Sequence, residues 1–197
     1  AVKSAFDTAA AAGQAGLTAR FEQFVDPGWD AGFGAGTFAT IACPSWMIGY
    51  IKGKAGDAGS GKWNAFALPG GKGGNWGGSY LTVPKQGKNV DKAVELAAWL
   101  TAPEQQAKVF TSAGLLPSTP KLYDDPAIVN YQNPFFNNAP VGKLFTDAAK
   151  KLQPQYQGPK AGDVQTAIGN AMQRVEQGKQ NGAESWTQFV GDVQKLK

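Results

Sequence analysis

Histidine is absent from the 197-residue sequence. Its absence removes imidazole-based metal centres and the Ser-His-Asp and Cys-His forms of nucleophilic catalysis from this chain. Cysteine occurs once, as Cys43, so no internal disulfide can form. Its place in a hydrophobic run suggests a small buried apolar side chain rather than a nucleophile. Charge is sparse: 17% of residues are charged and the net charge is +4. The lysines are scattered (Lys52 and Lys54, Lys85 and Lys88, Lys150 and Lys151), without the concentrated basic footprint of a nucleic-acid binder. No apolar run approaches the roughly eighteen residues needed to span a bilayer, and no signal-peptide pattern opens the chain. The chain begins Ala1-Val2-Lys3, without methionine and already in helical pattern, which suggests a processed or truncated product. Neither a metal ion nor a cofactor is expected.

What is present is a 42% hydrophobic chain with 26 glycines and 12 prolines, enough to bury a core and punctuated by many turns. Thr37 to Ala42 is β-branched, aromatic and small, as a strand inside a sheet requires. Pro44 follows and suits the first turn of a helix. Trp46 would then lie near the carboxyl end of a strand, the edge where open α/β sheets place their ligands, unless it packs into the core. Trp63-Asn64-Ala65-Phe66-Ala67-Leu68-Pro69 alternates as a second strand would, and Tyr80 to Pro84 reads as a third. Lys52 to Lys62 reads as a surface loop.

Gly70 to Ser79 is the most glycine-dense stretch. It lacks the Gly-Lys-Ser/Thr ending of a P-loop and leads into a strand rather than a helix, so a phosphate cradle is not indicated. Trp76 is held among these glycines at the mouth of a strand, a poor place to find core, and ligand contact is the favoured reading.

The remainder is helical. An alanine-rich opening to about residue 24 fits one helix or two, broken near Gly13 or Gly16; Asp26-Pro27-Gly28 turns the chain, and Trp29 to Gly36 forms a short helical piece. Val90, Ala93, Val94, Ala97 and Leu100 mark one helix. Thr101-Ala102-Pro103-Glu104 predicts a capping box and a second helix to Gly114. A third runs from Val141 to about Leu152. Val164, Ala167, Ile168, Ala171, Met172 and Val175 trace an amphipathic stripe, and Trp186, Phe189, Val190, Val193 and Leu196 trace the last. Met172 and Trp186 fall on these stripes and are expected in the core; Trp29, Trp63 and Trp99 are likewise expected to be structural.

The order of these elements resembles the C-terminal half of the extracellular sugar-binding proteins of ABC transporters, the family 1 solute-binding group. The resemblance rests on Gly36-Thr37-Phe38-Ala39 leading to Pro44-Ser45-Trp46, the Leu68-Pro69-Gly70 exit and Gly77-Gly78-Ser79 entering a strand. It continues with Ala93 to Leu100 before Ala102-Pro103-Glu104-Gln105-Gln106, then Gly114-Leu115-Leu116-Pro117 and the closing helices. Each motif alone is weak, but their order and spacing together are specific and cover essentially the whole chain. Within the group the sequence looks most like the cellobiose and cello-oligosaccharide binding lipoproteins of Gram-positive bacteria.

The resemblance implies an α/β, periplasmic-binding-protein-like (type II) lobe, helix-rich with a small central sheet. It would be one lobe of a two-lobed receptor plus a segment crossing to the other. Residues 1–69 would be a second-lobe segment, 70–125 would return to the first lobe and 126–197 would supply the second lobe's C-terminal helices. The implied function is an extracellular, membrane-anchored lipoprotein receptor (periplasmic in a Gram-negative cell) that captures an oligosaccharide and delivers it to ABC permease subunits. The missing first lobe is a further implied partner, and no enzymatic chemistry is expected. The implied ligand-binding residues are Ser45, Trp46, Trp76, Gly78, Ser79 and Tyr156. Sugar chemistry agrees, since pyranose rings offer apolar C–H faces and a rim of hydroxyls, which call for aromatic plates and hydrogen-bonding groups.

The rival readings are a glycosidase-like carbohydrate-active enzyme, an aromatic-rich protein-interaction module and a receptor for a peptide or polyamine. For the first, Asp124, Asp125 and Glu104 are the available acids. Adjacent carboxylates need not flank a scissile bond, and Asp125-Pro126 has the form of a helix start. For the last, no carboxylates are concentrated in sequence near Trp46 or Trp76.

Overall fold

The computed structural model describes every residue except Lys72, Gln155 and Lys197. The chain divides into two compact units, one of Ala1–Ala39 with Pro154–Lys197 and one of Thr40–Gln153.

The first unit is built on three helices, α1 (Val2–Gln14), α8 (Ala161–Glu176) and α9 (Gly182–Gln194), with the short α2 (Pro27–Ala35). The apolar stripes read from the sequence face one another. Phe6, Ala10, Ala171, Val175 and Phe189 form the buried cluster, and Met172 and Trp186 pack against it, as expected. The Trp186 ring lies 5.2 Å from Phe6 and 5.1 Å from Phe189 between centroids. Asn181 and Glu184 form a reciprocal capping box that fixes the start of α9, each bond 3.0 Å long. The fully buried Ser185 hydroxyl donates to the Ala171 carbonyl at 2.7 Å, tying α9 to α8. In α2, Asp26 caps Gly28 N–H at 2.7 Å, Pro27 occupies the first turn and Gly36 closes the helix in the left-handed region. Trp29 is buried there between edge-on neighbours Phe24 and Phe33.

The second unit contains α3 (Met47–Ala55), α4 (Val90–Leu100), α5 (Pro103–Ala113), the one-turn α6 (Pro126–Val129) and α7 (Val141–Lys150). Phe110, Leu122 and Ile128 are buried together, with Tyr131 set edge-on against Phe110 at 5.2 Å. Asp125 caps α6 through Ala127 N–H at 2.8 Å. At the start of α7, Gly142 passes so close to α6 that a Cβ built on it would lie 1.8 Å from the Ile128 carbonyl oxygen. Glycine is the residue that permits this crossing. The buried Thr146 hydroxyl donates back to the Gly142 carbonyl at 2.9 Å.

Several expectations are corrected. The small central sheet is not present among the described residues: the stretches expected as strands over 37–42, 63–69 and 80–84 run without ladder partners. The bridge between Asn133 and Ala139 is isolated. A strand is completed by hydrogen bonds from a neighbour, and β-branched composition supplies the propensity without supplying that neighbour. The Thr101 capping box does not form. Ala102 is the N-cap of α5, and the Thr101 hydroxyl donates backward to the Ala97 carbonyl at 2.9 Å instead. Pro103 and the left-handed Gly114 do bound α5 as expected. The helix expected directly at Pro44 starts at Met47, with Trp46 as its N-cap, and it reaches Ala55 inside the stretch expected as loop. Trp99, expected to be structural, lies on α4 with 56% of its surface exposed.

Candidate functional site

A cavity of about 820 Å³ opens within the second unit. It is built mainly from five pieces of chain, the turn Cys43–Trp46 ahead of α3, the extended Phe66–Leu68, the glycine loop from Gly73 to Ser79, the strap Leu115–Ser118 and α7 with the residues just after it, and Tyr123 adds to the wall. Five of the six residues expected at a ligand site, Ser45, Trp46, Trp76, Gly78 and Ser79, line this cavity. The sixth, Tyr156, belongs to the other unit, where its ring is 93% exposed.

The local backbone explains how each wall is placed. Pro44 and Ser45 start a turn whose carbonyls accept from Met47 and Ile48 N–H at 3.1 and 3.3 Å. Met47, Ile48 and Ile51 are buried, so α3 is anchored on its apolar side and Trp46 is carried at its entrance. Opposite, the glycine loop packs its first part on α7: a Cβ built on Gly73 would lie 3.3 Å from the Ala148 Cβ. Asn75 Nδ2 donates to the Gly77 carbonyl at 3.1 Å, and Gly77 and Gly78 take φ of 86° and 133°. Side chains rarely adopt the second value, so Gly78 serves here through its backbone.

The two indoles meet at this site. Trp46 Nε1–H donates to the Trp76 carbonyl oxygen at 3.2 Å. Their rings stand edge to face, with centroids 6.2 Å apart and planes inclined at 72°. Trp46 is half-buried, whereas Trp76 is 44% exposed.

Around the indoles the wall mixes apolar and hydrogen-bonding groups. Leu68, Leu116, Leu144 and Ala148 provide apolar surface, while Ser45, Asn75, Ser79 and Asp147 provide donors and acceptors. Asp147 accepts from Lys143 Nζ at 2.9 Å. That bond, reinforced by the charges of Lys143, Lys151 and Lys150, holds its carboxyl below the usual aspartate value. The group is therefore an ionised acceptor at neutral pH. Cys43 also lines the cavity, and burial pushes its thiol up, which keeps it protonated and poorly nucleophilic. Burial likewise raises the Tyr123 phenol, whose hydroxyl donates to the Pro117 carbonyl at 3.0 Å.

One organising residue had no role assigned from sequence. Gln106 of α5 accepts from Ser118 N–H and Oγ–H at 2.8 and 3.1 Å, and donates to the Thr101 carbonyl and Thr119 Oγ1 at 2.6 and 2.9 Å. It holds the strap that forms one wall. A glutamine in the first turns of a helix carries no such signal in sequence. Two of the three acids weighed for catalysis are otherwise engaged: Asp125 caps α6, and Asp124 pairs with Lys150.

The model of the bacterial extracellular solute-binding protein family matches residues 1–138. A crystal structure of an extracellular solute-binding protein of family 1 superposes with a TM-score of 0.81 at 43% sequence identity, over 96% of this chain and 48% of that one. The chain thus spans about half the length of this solved relative. No curated protein matches the sequence significantly.

Proposed function

Since the chain belongs to the bacterial extracellular solute-binding proteins, we propose that it is the ligand-holding half of a receptor that captures an oligosaccharide, a gluco-oligosaccharide such as cellobiose, for an ABC importer. The observation that carries this reading is the cavity in which a solvent-facing indole adjoins hydroxyl and amide groups and the ionised Asp147 carboxylate. An apolar sugar face stacks on an indole, and the equatorial hydroxyls need donors and acceptors around its rim. By analogy with base stacking, one aromatic plate contributes about 1–3 kcal/mol.

The receptor binds without covalent chemistry. Asp124 and Asp125 serve an ion pair and a helix cap, which supports a non-catalytic role for the pair weighed as acid and base. In the full-length receptor, residues 70–125 cross to a first lobe, and the unpaired extended stretches find sheet partners. Sugar favours the closed arrangement of the lobes, and that form docks on the permease. The full-length receptor acts outside the cytoplasmic membrane as a lipid-anchored protein.

Tryptophan fluorescence titration tests the reading. Cellobiose, maltose, xylobiose and longer gluco-oligosaccharides are added to the chain alone and to the full-length receptor. A saturable change is expected with at least one sugar, and Trp76→Ala should weaken it about 5- to 150-fold, the equivalent of one plate. Silence from both proteins with every sugar would overturn the proposal.

A further inference from the structure

Both indoles of the cavity are candidates for the plate, but their geometry gives them different tasks. We propose that Trp46 is a positioning residue that latches the glycine loop, and that Trp76 is the surface on which the ligand ring stacks. The inference rests on the sugar-receptor reading for the nature of the ligand, although the latch itself is a property of the ligand-free protein.

Three observations carry it. First, an indole has one donor and no acceptor, and the Trp46 N–H is engaged by the Trp76 carbonyl at 3.2 Å. While that bond stands, Trp46 does not donate to a ligand hydroxyl. Second, the rings stand edge to face, 6.2 Å between centroids. Two parallel plates enclosing a sugar ring would need more space, so no ring enters between them and a ligand lies on the free surface of one. Third, the more exposed of the two is Trp76, at 44%.

The loop that carries Trp76 needs such a latch. It begins against α7, where Gly73 meets Ala148, and it ends in Gly77 and Gly78 at φ of 86° and 133°. A Cβ added at Gly77 or Gly78 would meet nothing within 4 Å, so neither position is braced by side-chain packing. Glycine-rich backbone in open space gains most from a bond that removes its freedom. Trp46 makes that bond from the entrance of α3, whose other side is buried. Through it the orientation of Trp76 follows the helix.

The test uses 19F NMR of the chain labelled with 5-fluorotryptophan, with the Trp46 and Trp76 resonances assigned from Trp46→Phe and Trp76→Phe. Trp46→Phe keeps an aromatic edge and removes the donor. In ligand-free protein it should shift and sharpen the Trp76 resonance toward that of a mobile side chain, while the Trp29 and Trp186 resonances stay in place and report an intact fold. An unmoved Trp76 resonance would overturn the latch. On adding cellobiose, maltose or longer gluco-oligosaccharides, the Trp76 resonance should move more than that of Trp46, and Trp46→Phe should weaken binding about 2- to 10-fold, the loss of one neutral hydrogen bond. A larger movement of the Trp46 resonance than of Trp76 would reverse the assignment of plate and latch. If no sugar moves any resonance, the sugar reading fails, and the ligand-free comparison still decides the latch.

Discussion

Replacing Gly142 by alanine puts a methyl group where backbone already stands. A Cβ there would lie 1.8 Å from the Ile128 carbonyl oxygen and 3.0 Å from the Val129 carbonyl oxygen. Reaching the 3.4 Å at which ordinary contact begins requires the start of α7 to retreat from α6 by about 1.6 Å. The obstacle is backbone, so no rotamer change relieves it. Overpacking of this kind costs about 1–3 kcal/mol. The retreat also strains the bond from Gly142 N–H to the Tyr131 carbonyl, 3.1 Å long, a further loss of about 1 kcal/mol. Gly142→Ala should therefore destabilise the second unit by about 2–4 kcal/mol. Gly53, inside α3 with nothing within 4 Å of its Cβ position, provides the opposite sign. Gly53→Ala should stabilise by about 0.5–1 kcal/mol, because alanine loses less backbone entropy in a helix. Guanidinium denaturation followed by far-UV circular dichroism measures both. A Gly142→Ala variant within about 0.5 kcal/mol of wild type would refute the close crossing of α6 and α7, and with it the placement of the α7 wall.

Other sites give independent checks. Ser185→Ala removes the buried hydroxyl that donates to the Ala171 carbonyl and accepts from Arg174 Nε at 3.2 Å, which should cost about 1–3 kcal/mol in urea denaturation. Asn181→Ala breaks the capping box of α9 and should cost about 1 kcal/mol in the same assay. Burial raises the Cys43 thiol above its ordinary value, so protonation is favoured in the folded chain; its contribution is fully present below the unfolded thiol's value and is lost as pH rises through the folded one. The rate of iodoacetamide alkylation should accordingly climb at higher pH in native protein than in the urea-unfolded chain, and coincident profiles would contradict the half-buried placement.

The helical half of the structure was legible because its signals are local. The stripe from Val164 to Val175 and the one from Trp186 onward each imply a helix and a buried face, and the two faces meet. Asp125-Pro126 announced a helix start that its side-chain cap completes, while Asp26-Pro27-Gly28, expected as a turn, proves to cap and open α2. The strands expected over 37–42, 63–69 and 80–84 did not form among the described residues, since pairing depends on a second segment that no local pattern specifies. Thr101 shows a related limit: its hydroxyl chose a carbonyl one turn back over the cap position, a competition between two nearby acceptors that the four-residue motif does not decide. At the site, the glycine loop and Trp76 were singled out from composition and position, and Trp46 was assigned to the ligand through the family resemblance. Their division of labour was not, because it depends on a bond between residues thirty apart in sequence. Gln106 escaped for the same reason, as its partners lie five to thirteen positions away and none is charged.

A crystal structure of the full-length receptor with the tightest-binding gluco-oligosaccharide tests the central claim most directly. A pyranose ring is expected in van der Waals contact with the face of Trp76, inside the cavity walled by α7 and the Leu115–Ser118 strap, with sugar hydroxyls bonded to groups such as Ser45, Ser79 or Asp147. A ligand bound elsewhere, with this cavity holding only solvent, would contradict it.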